Sequence, residues 1–172
     1  MVMRAFREWL GFRRLRGSPC IDDLDPRQLS IDWQWTAIVH LNVAPGMSTT
    51  TDVFDFVGQG FAGEAASCRA GTPVSAVPPS TRLACAIAPL ERMIATGVPV
   101  IAQGALAQPH DAVLLFRSIA LPYSDRAGTI RYALAAFSGG TFARSRPAPA
   151  SGAALECRLE RFDDASGAWV EA

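Results

Sequence analysis

Residues 98–139 read VPVIAQGALAQPHDAVLLFRSIALPYSDRAGTIRYALAAFSG, and they decide the fold. Three runs within them, 98–106, 112–122 and 129–139, are rich in branched and aromatic side chains and predict strands. The intervening QPHD and YSDRAG are short enough for antiparallel hairpins. The middle run is apolar on both faces: Val113, Leu115, Ile119 and Leu121 alternate with Leu114, Phe116 and Ala120. Such a strand belongs mid-sheet with both faces covered. Arg117 falls among the first set, and a covered strand does not tolerate an unpaired charge. It either anchors an anionic ligand or pairs with an acid such as Asp55 or Glu64.

Immediately upstream lies the clearest helical period, from Ser80 to Thr96. Leu83, Ile87, Leu90 and Ile94 form one apolar stripe, with Arg92 opposite. Ser80 is the expected N-cap, and Gly97 and Pro99 end the helix. Pro89 sits inside it, depriving the Cys85 carbonyl of its donor, so the helix is expected to kink.

Further out, 36–44 (TAIVHLNVA) and 52–58 (DVFDFVG) predict two more strands, the second with period two. Glycine-broken helical turns and a proline-rich loop separate these from the main helix. At the N-terminus, VMRAFREWLGFRRLR places Met3, Phe6, Trp9 and Leu10 on one helical face, with Arg4, Arg7, Glu8 and Arg14 opposite. SRPAPASG (145–152) reads as a linker, and the tail beyond it as a hairpin around Asp164–Gly167 or a short helix, the hairpin favoured. The expected architecture is α+β: a five-stranded antiparallel sheet, one main helix and short helices on one face, and the N-terminal amphipathic helix outside. The expected organisation is an N-terminal helix (1–17), one domain (18–142), and a linker with C-terminal extension (143–172).

Composition excludes several function classes. The chain has 172 residues, 49% hydrophobic and 19% charged, which fits one globular domain with a real core. Sixteen arginines balance sixteen acids, so no global field gathers nucleic acid. No stretch reaches the roughly 18 apolar residues of a membrane span, and residues 1–16 lack the pattern of a signal peptide. Cys20, Cys68, Cys85 and Cys157 are far apart and point to reduced thiols in a cytoplasm, not to zinc or a disulfide framework.

The order of elements resembles a PAS domain, and particular residues carry the likeness further. Thr96-Gly97-Val98-Pro99-Val100, then Phe116-Arg117-Ser118-Ile119-Ala120-Leu121-Pro122-Tyr123-Ser124, then Gly128-Thr129-Ile130-Arg131-Tyr132-Ala133-Leu134 are similar to the single-domain PAS family common in alphaproteobacteria. Phe56-Val57-Gly58 with Gly63 resembles that family's second strand and following turn, and the likeness spans residues 25–142. The resemblance implies a sensory or regulatory module of bacterial signalling. Such modules hold a small molecule between sheet and main helix, or a protein partner on the outer sheet face. With little chain after residue 142, action in trans is expected, as a homodimer or on a partner such as a histidine kinase.

The remaining motifs are weak. Gly58-Gln59-Gly60-Phe61-Ala62-Gly63 is a literal GxGxxG, but no acid occurs between Glu64 and Glu91 and no βαβ unit follows. Neither His40 nor His110 lies on the main helix to ligate haem, and Cys68 lacks the neighbours of a flavin-adduct motif. Ser138-Gly139-Gly140 is no nucleophile elbow, and no enzymatic activity or cofactor is expected. The candidate pocket, for an unidentified small ligand, comprises Phe56, Leu83, Ile87, Leu90, Met93 and Arg117. The candidate interface comprises Met3, Phe6, Trp9 and Leu10. That helix either caps the outer sheet face, zips to a second copy or docks a partner, or lies on anionic lipid, the last least favoured.

Overall fold

Both strand hairpins expected in 98–139 form in the computed structural model, which describes residues 1–13, 17–25, 31–42, 52–65, 67–110, 112–143 and 156–172. Strands β1 (Thr36–His40), β2 (Val53–Val57), β3 (Val100–Gln108), β4 (Ala112–Ser124), β5 (Ile130–Ala143), β6 (Glu156–Asp163) and β7 (Ala168–Glu171) make one sheet. Their order is β2-β1-β5-β4-β3-β6-β7, with every pair antiparallel. The fold is α+β, but the sheet has seven strands where five were expected. The tail forms the favoured hairpin, and β6 pairs along β3 instead of hanging free. The expected linker at 145–152 lies outside the described residues.

On one face pack α2 (Arg82–Ile87) and α3 (Leu90–Thr96), with short 3-10 turns at 59–61 and 74–76. The single kinked helix expected over 80–96 is two helices broken at Ala88-Pro89. Proline removes a donor and its ring crowds the preceding turn, which here ends the first helix outright. The N-cap is Thr81, one residue beyond Ser80, its hydroxyl accepting from the Ala84 N–H at 3.2 Å. Gly97 closes α3 at φ 69°, its N–H donating to the Met93 carbonyl at 2.8 Å.

On the opposite face lies α1 (Val2–Phe12). The alternation of β4 serves both layers: Leu114, Phe116 and Ala120 join the core under α2 and α3, while Ile119, Leu121 and Tyr123 join the core under α1. β3 stops pairing at Val100, opposite Ala120, so Pro122 stands where that neighbour needs no donor. The Trp9 indole N–H donates to the Pro122 carbonyl at 2.7 Å, and the Ser124 N–H to Pro19 at 2.7 Å. Segment 17–20 and α1 thus occupy the edge that β3 leaves open.

Period two fails in β2. Ile38 pairs with Phe56 but Val39 with Phe54, leaving Asp55 as the extra residue of a bulge. Phe54 is buried in the helix-side core, and Phe56 turns to the other face.

Candidate functional site

The residues read as a ligand pocket divide between the two faces. Leu83, Leu90 and Met93 are fully buried in the helix-side core with Phe54, Phe116 and Phe137. Ile87 is half-buried, packs against the edge of that core and lines an open groove of about 340 Å³ with Val77 and Pro79. Phe56 packs edge-on against Trp33 at 5.8 Å and is 36% exposed. Arg117 is exposed on the outer face, donating to Gln103 Oε1 at 2.9 Å. It pairs with neither Asp55 nor Glu64; the Glu64 carboxylate holds Arg82, whose guanidinium lies 5.8 Å from the Trp35 ring centre. A strand apolar on both faces predicts a covered Arg117, yet α1 covers only one end of that strand.

The other motifs resolve as packing. A Cβ on Gly58 would stand 2.2 Å from the Trp33 carbonyl, and one on Gly60 2.8 Å from the Trp35 ring. These glycines exist for close approach to the 33–35 turn, not for a phosphate. Burial, with Glu64 and Cys157 adding to it, pushes the Cys85 thiol up to about 12, which leaves it protonated and inert. His40 stacks on Tyr132 at 5.0 Å, and His110 takes φ 59° in the β3–β4 turn. No group of metal-ligating side chains exists among the described residues. A cleft of about 520 Å³ between Arg13 and Arg126 has both guanidiniums already engaged, by Asp164 and Asp22.

The α1 face is used internally. Val2, Ala5, Phe6 and Trp9 are buried, whereas Met3 and Leu10 are 37% and 36% exposed on its flanks. Phe6 meets Phe162 at 5.0 Å and Trp169 at 4.9 Å, so the C-terminal hairpin supplies the partner this helix needs. Arg13, over the Trp9 ring at 5.2 Å, grips both Asp164 oxygens. Of the readings for this helix, the cap over the outer face is the one formed. Phe6 and Trp9 are thereby corrected from interface to core, since their apolar surface is already removed from water.

What the cap leaves bare is the other half of the same face. There Leu115 is 49% exposed and Phe142 56%. Val113 pairs with Phe142 and Leu115 with Gly140, so these side chains are immediate neighbours. The Phe142 ring leans back over Gly140, whose missing side chain makes the room, 3.3 Å from where a Cβ would be. Gln103 stands opposite Arg117 in β4 and opposite Arg158 in β6. The patch therefore joins an apolar centre to two guanidiniums, of which Arg158 lies 3.5 Å from the Glu160 carboxylate, and Glu156 stands opposite Ala105 in the neighbouring row. The alternation predicts a covered Leu115 and a last strand that stops at 139, whereas β5 runs to Ala143, and that added length carries Phe142 beside Leu115. No protein-family model, characterised protein or solved structure matches the chain.

Proposed function

We propose that the chain is a non-enzymatic, PAS-like regulatory module of bacterial signalling, acting in the cytoplasm through protein–protein contact on the bare half of its outer sheet face. One observation carries the reading: Leu115 and Phe142 stay exposed, side by side, on a face whose other half is sealed by α1. Contiguous exposed apolar surface of this kind marks interaction sites. The order β2-β1-β5-β4-β3 within the sheet and the helices on its inner face support the PAS likeness. A ligand-sensing role has less support, because Leu83, Leu90 and Met93 are packed into the core.

The test places a photoreactive benzophenone amino acid at position 115 in cells, with position 91 on the opposite layer as control. The reading expects a discrete protein adduct from 115 and none from 91. Adducts of equal yield from both, or from neither, count against it.

A further inference from the structure

We draw no further inference here: the strongest candidate, the bare surface patch of Leu115 and Phe142 on the outer sheet face, belongs to the site already described, and with Glu156 and Glu160 in the register rows on either side of Arg117 and Arg158 nothing in the structure shows what covers it.

Discussion

The Ser118 hydroxyl donates to the Cys85 carbonyl at 2.7 Å, and both residues are buried. Cys85 lies four residues before Pro89, which has no N–H to give it. The donor lost in α2 is supplied from the middle of β4, fastening the broken helix to the sheet. Ser118→Ala strands a buried carbonyl and should cost about 1–3 kcal/mol in chemical denaturation. Pro89→Ala in that background restores a possible N–H donor and should recover part of the loss. Additive costs in the double variant would refute the exchange of donors.

The two outer glycines of the GxGxxG separate cleanly. Gly58→Ala drives a Cβ into the Trp33 carbonyl, while Gly63→Ala meets nothing within 4 Å. The first should lose about 1–3 kcal/mol by overpacking and the second change stability by no more than about 0.5 kcal/mol. Thermal midpoints measure both, and equal effects would contradict the packing role.

Thiol accessibility is the third prediction. Cys20, Cys68 and Cys85 are buried and Cys157 is exposed. Native protein with a small aromatic disulfide should release one equivalent rapidly, lost in Cys157→Ser, and four in denaturant. Fast reaction of a second thiol would contradict the burial of the other three.

Asp52 sets a pH dependence. It is buried, and the cost of desolvating its carboxylate pushes its pKa up despite the hydrogen bond from the Asn42 N–H at 2.8 Å. The folded chain therefore keeps this proton to higher pH than the unfolded chain, and ionising Asp52 withdraws stability as pH rises through the folded value. Asp52→Asn should raise the melting temperature relative to the parent more at pH 7 than at pH 3. The opposite ordering would mean that the carboxylate is stabilised in place.

Much of this was legible because local rules and tertiary structure agree. The stop at Gly97, the hairpins joining β3 to β5 and the hairpin around Asp164–Gly167 each follow from residues close in sequence. The double covering of β4 was also readable, and it pointed to α1 as the second cover. What escaped depends on register between distant strands. Nothing near Glu156 announces that β6 lies along β3, so the tail hairpin is expected as an extension and not as two further strands of the sheet that receive Phe6. The bulge at Asp55 sent Phe56 to the far face, and a period-two pattern carries no mark of one extra residue. Arg117 was misplaced for the same reason: alternation tells which face a residue takes, not how far a cover extends along it.

The most direct test asks whether the bare patch serves a partner or the fold. Leu115→Asp with Phe142→Asp should shift the denaturation free energy by about 1 kcal/mol or less, since both side chains already face water. Size-exclusion of extracts from the native host should show the tagged parent in a complex larger than the free chain and the double variant at the size of the free chain. A variant that keeps the parental complex, or a parent that elutes alone, would contradict a docking role for this face.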